Sequence, residues 1–472
     1  MSEGSDGPWE LPKGWAWVPF ADVARVASNL VSPFDYPDLP HIAPNHIESE
    51  TGRLLPFATV AEDGVKSPKH LFSSGHVLYS KIRPYLAKVV MAKFDGLCSA
   101  DMYPISTEID AGFLAFWLRS PAFTGLAAKH QGRSVLPKIN KEALAKLPVP
   151  VPPLDEQRRI VAMLEEQLSR LDAAIGNAAH AMNSAETLIR SVKAKAVRDL
   201  VSKFPTVRLA DELSEPLRNG HSARAEVGGM IRTLTLTAVT KGIFDDAHTK
   251  MTAADPDRVA KLWLKRGDIL VQRSNTPDLV GTSALYEGPD DWAIFPDLLI
   301  RVRTSARLDA HFAQLVLSAP QTRHYYRSQA KGLAGSMPKI DQETILNTPI
   351  PLPDLEVQRQ TLHKVARVIE RARYATTTGE VYRAKSAALR RSLLTEAFAG
   401  RLVPQDPADE PADGLLARIR AEREATGATK SRRRRTRRAP VRRPSDVPPP
   451  ARSDAPSLSA ATQPTLDLEM PS

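Results

Sequence analysis

Apolar residues recur at three- and four-residue spacing through Val161, Leu164, Leu168, Leu171, Ile175, Ala178, Met182, Ala185, Ile189, Val192 and Ala196. A seam held over about five heptads predicts a long helix packed as a coiled coil rather than a globular surface helix. With Asp155 as its N-cap, an unbroken helix to Ser202 would run about 70 Å. A second stripe follows Leu355 through Leu362, Val365, Ile369 and Ala372. It weakens at Thr376, Gly379 and Arg383, then recovers at Leu389, Leu393 and Ala397. Neither stripe can be buried by its own helix. The simplest partner for each is the other, giving an antiparallel intramolecular pair that separates what lies in front of each helix. The rival is that each seam serves another subunit.

In front of each helix the pattern changes to short strands and turns. LPKGWAWVPFADVARV offers a strand and a short helix with Asp22 near its N-cap. GHVLYSKIRPYLAKVVMA has the β-branched and aromatic residues of strands, with a turn at Arg83-Pro84, and CSADMYPI reads as one further strand. AGFLAFWLRSPAF predicts a short apolar helix ended by Pro121. The second half repeats this layout in PTVRLADEL, KRGDILVQRSN, AIFPDLLIRV and LDAHFAQLVLSAP, the last ended by Pro320.

The repetition is sharpest just before the long helices. PKINKEALAKLPVPVPPLDEQR from Pro137 and PKIDQETILNTPIPLPDLEVQR from Pro338 align without a gap at an offset of 201, with ten of 22 positions identical. A period this long marks two copies of one domain, not a solenoid.

The chain has 472 residues, of which 42% are hydrophobic, which is enough for two to four domains with real cores. It has no apolar run of membrane-spanning length and no signal-peptide layout, so a cytoplasmic protein is expected. One cysteine, Cys98, excludes an intramolecular disulfide and a thiolate zinc cage. The net charge of +10 is uneven: residues 430–472 carry +6 and the rest only +4. SRRRRTRR and the Pro-rich end have no core-forming content, so residues 429–472 are expected to be disordered and to act at most as a salt-sensitive nucleic-acid tether.

The chain has no phosphate loop of the G-x-x-x-x-G-K-[ST] form, no G-x-G-x-x-G after a strand, no H-E-x-x-H and no Asn-Pro-Pro-aromatic loop. Two pairs of segments look like binding elements instead. Gln131, Arg133, Ser134 and Lys138 in the first copy, and Lys331, Ser336 and Lys339 in the second, join small residues to phosphate-contacting ones. Ser80, Lys81, Arg83 and Tyr85, set against Gln272, Arg273, Ser274 and Asn275, include the side chains that address guanine and adenine edges. The plain alternatives are ordinary turns feeding strands and solvated strand ends.

LPKGWAWVPFADV, SKIRPYLAKV with CSADMYPI, GDILVQRSN with LVGTSALY, the doubled PKI-[ND] segment, the L-[DE]-x-Q-R helix starts and AFAGRLVPQDPADEPADGLLARIRAERE together resemble the specificity subunit of type I restriction–modification systems, over residues 9–425. The resemblance implies an α+β protein with two mixed α/β target recognition domains at 1–153 and 204–354. Each precedes a long helix, at 154–203 and 355–400, and a loop and helix follow at 401–428. It implies a non-catalytic reader of a bipartite double-stranded DNA target, with the helices setting the spacer. The seam positions are Leu164, Leu168, Leu171, Ile175, Met182, Ile189, Leu362, Val365, Ile369 and Leu393. The implied partners are two methyltransferase subunits, which bind S-adenosylmethionine, and restriction/translocase subunits, which use ATP and Mg. No metal or cofactor is expected on this chain. Two other classes stand beside this reading: a coiled-coil scaffold whose repeated domains bind protein, and a nuclease acting alone, which the missing metal and phosphate motifs disfavour.

Overall fold

The computed structural model describes residues 7–27, 29–130, 137–332 and 337–436, with side chains to residue 425. Two long helices dominate it: Leu154–Val201, of 48 residues, and Leu355–Phe398, of 44. At 1.5 Å per residue they span about 72 and 66 Å. They pack antiparallel. Asp172 pairs with Arg390, Met182 covers Gly379, and Leu200 shares an apolar cleft with Thr361, so numbers rise along one helix as they fall along the other.

The seam is narrower than its sequence pattern. Leu164, Leu168 and Val365 are buried, while Leu171, Ile175, Met182, Ile189, Leu362, Ile369 and Leu393 are half-buried. The second helix buries a line of small residues at seven-residue spacing: Ala372, Gly379 and Ser386, following Val365. The stretch that weakens in sequence is therefore a close approach. A Cβ on Gly379 would lie 2.5 Å from Met182 Cγ. Leu389 is exposed; Arg390 and Leu394 take the inward positions beside it.

Each front domain has its own four-stranded core sheet, and the two sheets are built alike. In the first, the strands run in the order Ala24–Val26, Met102–Thr107, Val77–Ser80, Val89–Met91; in the second, Arg218–Asn219, Leu299–Val302, Ile269–Gln272, Ser283–Leu285. All neighbours are antiparallel. One face packs on an apolar helix, Ala111–Arg119 or Ala310–Leu317, so that Val77, Ile105, Phe113 and Trp117 form one core and Ile269, Val302, Phe312 and Val316 the other. The extra lobes differ: a four-stranded sheet holding Lys69–Phe72 and Gly96–Cys98 in the first domain, and the hairpin Ile231–Leu234/Thr249–Thr252 in the second.

Several local expectations need correction. CSADMYPI supplies two strands, Gly96–Cys98 and Met102–Thr107, which belong to different sheets. The apolar helices do stop just before Pro121 and Pro320, at Arg119 and Leu317, but each proline is also the first residue of another helix, Pro121–Lys129 and Pro320–Gln329. Proline fits there because a helix's first N–H has no partner to lose. Asp22 lies inside the helix Phe20–Val23, which starts after Pro19. Asp155 does not cap the first long helix. Pro153 precedes that helix, and Asp155 sits in its first turn, paired with Arg158 at 2.8 Å. In the second copy Asp354, at the position of Pro153, does cap, accepting from Val357 N–H at 2.8 Å. The last helix, Ala412–Thr436, runs into the stretch expected to lack structure.

The C-terminal segment closes back on the first domain. Phe398 packs 5.0 Å from Trp117, Ala412 N–H donates to Gly14 O at 2.9 Å, and Arg159 grips Asp409 through its two terminal guanidinium nitrogens. Buried Cys98 has its thiol pushed up to about 12 by burial.

Candidate nucleic-acid interface

The doubled PKI segment and the candidate strand-end residues come together in space, in the same way in both copies. Strand Val77–Ser80 ends where Ile139 N–H donates to Lys81 O at 3.0 Å and Arg83 N–H donates to Pro137 O at 2.8 Å. Strand Ile269–Gln272 ends where Ile340 N–H donates to Arg273 O at 2.9 Å. Isolated bridges join Ile82 to Lys138 and Ser274 to Lys339. Lys81 and Arg273 are thus structural equivalents, each beside the exposed lysine of its PKI segment.

Just behind, each joint is built alike. Asn140 and Asp341 cap short helices, accepting from Ala143 N–H at 2.7 Å and Thr344 N–H at 2.9 Å. The Pro-rich strands Pro148–Val151 and Pro349–Pro351 pair with the opening strands Ala16–Pro19 and Thr206–Arg208. A proline lacks the N–H that a central strand must donate, so these ribbons remain two-stranded edges. The long helices then begin at Leu154 and Leu355.

At the first joint Lys81 Nζ donates to Ala100 O at 2.6 Å and lies 5.4 Å from the centre of the Tyr103 ring, while Lys141 Nζ lies 5.9 Å from it. The Tyr103 hydroxyl donates to Ile139 O at 3.3 Å. Lys138 meets Asp101 at 3.3 Å, and Lys331 at the second joint meets Asp341 at 3.2 Å. Both pairs are solvent-exposed, where an ion pair contributes little, so a phosphate can replace the carboxylate at small cost. The Asp341 carboxylate is held down to about 2, first by the Thr344 hydroxyl and N–H and then by Lys331. Among the described residues, Arg83, Arg273 and Lys339 have no carboxylate partner. Arg83 is held at φ +47°, a left-handed conformation uncommon for a residue with a side chain.

Other candidates are placed differently. Ser80 is buried and donates to Ile82 O at 3.0 Å. Gln272 is buried, donating to Thr240 Oγ1 at 3.2 Å and accepting from Asn275 Nδ2 at 2.9 Å. Ser274 is buried as well. These three shape the joint from inside, because a strand end covered by the PKI segment leaves alternate side chains facing the core. Half-exposed Tyr85 lines a small cleft with Arg119 and Arg390, on the side of the second long helix. Gln131, Arg133, Ser134 and Ser336 lie outside the described residues.

Sequence reasoning missed Asp101, Lys141 and the two caps. Only the caps had a signal, an Asn or Asp directly before a short helical run. Among the described residues, no three or more His, Cys, Asp or Glu are grouped to hold a metal, and no helix is long and apolar enough to cross a membrane. The joints offer exposed cations on rigid strand ends, an arrangement suited to gripping phosphates and reaching base edges.

Residues 12–178 match the family described as type I restriction modification DNA specificity domain. The chain is 48% identical over 188 residues to the type I restriction enzyme EcoDI specificity subunit of Escherichia coli, covering 40% of this chain and 42% of that protein. It is 24% identical over 470 residues to the EcoKI specificity subunit of Escherichia coli strain K12, covering 90% of this chain and 99% of that one. A solved chain from a study of complex assembly and conformational transition of the type I R-M system superposes with a TM-score of 0.64 at 20% identity, covering 84% of this chain and all of the other.

Proposed function

We infer, from a chain that belongs to the specificity-subunit family of type I restriction–modification systems, that each of its two repeats reads one half of a split duplex target through its joint. The observation that carries this reading is the doubled joint. Lys81 with Lys138, and Arg273 with Lys339, occupy equivalent places on two otherwise different domains. The shared lysines position the duplex by its phosphates, while the residues at and beside the strand ends whose identity differs between the copies, Arg83, Arg273 and Asn275, contact bases. Equal grips with unequal readers are what a target with two different halves requires.

The antiparallel helices act as the spacer between the halves. Methyltransferase subunits carrying S-adenosylmethionine supply adenine methylation, two of them to one specificity chain. Restriction/translocase subunits using ATP and Mg complete the restriction complex. Two linked modules on one duplex gain affinity through effective concentration, provided their separation fits. A protein-binding scaffold has no need of cations repeated at equivalent places on both joints.

Inserting seven residues at facing points of both long helices tests the spacer role. The pair would lengthen by about 10 Å, or about three base pairs. The methylated sites should then carry a spacer longer by that amount; an unchanged spacer would refute the ruler.

A further inference from the structure

The second front domain has a polar cleft of about 720 Å³ that takes no part in the joint. Arg218, Lys261, Trp263, Lys265, Arg301 and Arg303 line it. It lies toward the other end of the core sheet. Asp268, which anchors Arg303, and Arg273 of the joint are separated along one strand by about 16 Å at 3.3 Å per residue.

Its arginines are set by strand register. Arg218 and Arg301 are direct partners in an antiparallel pair, so their side chains share a face, and Arg303 follows two residues on. Like charges directly opposite one another work against a strand pair unless something neutralises them. Part of that is done internally. Glu215 bridges Arg301 and Arg303 at 3.0 and 2.5 Å, and Asp268 takes Arg303 through two nitrogens at 2.6 and 2.8 Å. Arg301, 3% exposed, also donates to Trp263 O at 2.9 Å. Arg218 receives no such partner: its Nε is buried and makes no hydrogen bond. Counting Asp291 on the cleft wall, the five cations exceed the three carboxylates by two charges.

We propose that this cleft is a second anion site, which binds a phosphate group through Arg218 with Lys261 and Lys265. The excess charge matches a phosphate, and the arginine fork suits two of its oxygens. Trp263 gives the site a flat apolar wall. The proposal does not depend on how the joints read DNA. The recognition is the same whether the phosphate comes from a free phosphorylated ligand or from the DNA backbone.

Titration calorimetry of the full chain with pyrophosphate, in buffer free of other polyvalent anions, tests this alongside duplexes of unrelated sequence. For a free ligand, pyrophosphate should bind saturably and Arg218→Gln should weaken it about tenfold, the size of one charge-assisted contact. For a backbone phosphate, pyrophosphate should not bind, and Arg218→Gln should weaken every duplex equally while lowering the salt slope by about one. Lys261→Gln/Lys265→Gln, at exposed positions that leave the fold alone, should act in the same direction. If neither variant changes pyrophosphate or duplex binding, the proposal is overturned.

Discussion

Gln157 and Gln358, 201 positions apart and both fully buried, make the same two hydrogen bonds. Each accepts at 2.9 Å from the backbone N–H of an aspartate that caps the apolar helix, Asp110 or Asp309, and each donates at 2.9 Å to a carbonyl just beyond the Pro-rich strand, Pro152 or Pro353; Gln358 donates also to Arg307 O at 2.9 Å. The repeated glutamine is thus a lock between strand, capped helix and long helix, and it fixes each front domain to its end of the helix pair. Gln157→Leu would leave both backbone groups unpaired, at about 1–3 kcal/mol each. Urea unfolding should show that loss, and Gln358→Leu a comparable one. A change within a few tenths of a kcal/mol would mean that water replaces the lock.

Stability should fall below neutral pH. Burial depresses His41, His70 and His76, outweighing the Asp63 and Asp95 carboxylates that act the other way at His41 and His76. Folded values below the unfolded value near 6.5 mean that the unfolded chain takes up protons first. This contribution is present above pH 6.5 and is lost as the pH falls from there toward the folded values. Unfolding free energies measured between pH 7.5 and 5.5 should therefore decline, and His70→Gln should flatten the decline.

The close approach at Gly379 should be specific to its partner. Gly379→Leu places a side chain where Met182 lies and should destabilise the chain by about 1–3 kcal/mol through overpacking. Combining it with Met182→Ala should recover much of the loss in thermal melting. An equal or greater loss in the double variant would show that the helices pack elsewhere.

The joints should separate affinity from specificity. Lys138→Gln should weaken all duplexes alike and lower the salt slope by about one. Arg273→Gln should change base preference in one half-site only, by about 1–3 kcal/mol. Competition binding over a set of half-site variants distinguishes these outcomes.

The long helices were legible because a heptad seam is a local pattern. A glycine in such a seam carries no apolar signal, so Gly379 looks like a weak point in sequence; its value comes from Met182 on the other helix. Pro121 and Pro320 show only half of their role in the same way: the stop of one helix is local, but the start of the next on the same proline depends on turn geometry. Lys138 and Lys81 were each visible as candidates, but their pairing crosses 57 residues and is a matter of tertiary register. Ser80, Gln272 and Ser274 have reader-type side chains, but the PKI segment covering the strand end turns them inward.

The most direct test exchanges residues 204–354 for the corresponding front domain of a relative with a different target. The methylated sequence is then mapped genome-wide in cells that also express the methyltransferase partner. One half of the split motif should change to that of the donor, while the other half and the spacer stay as they were. An unchanged motif, or changes in both halves at once, would contradict the claim that each repeat reads its own half.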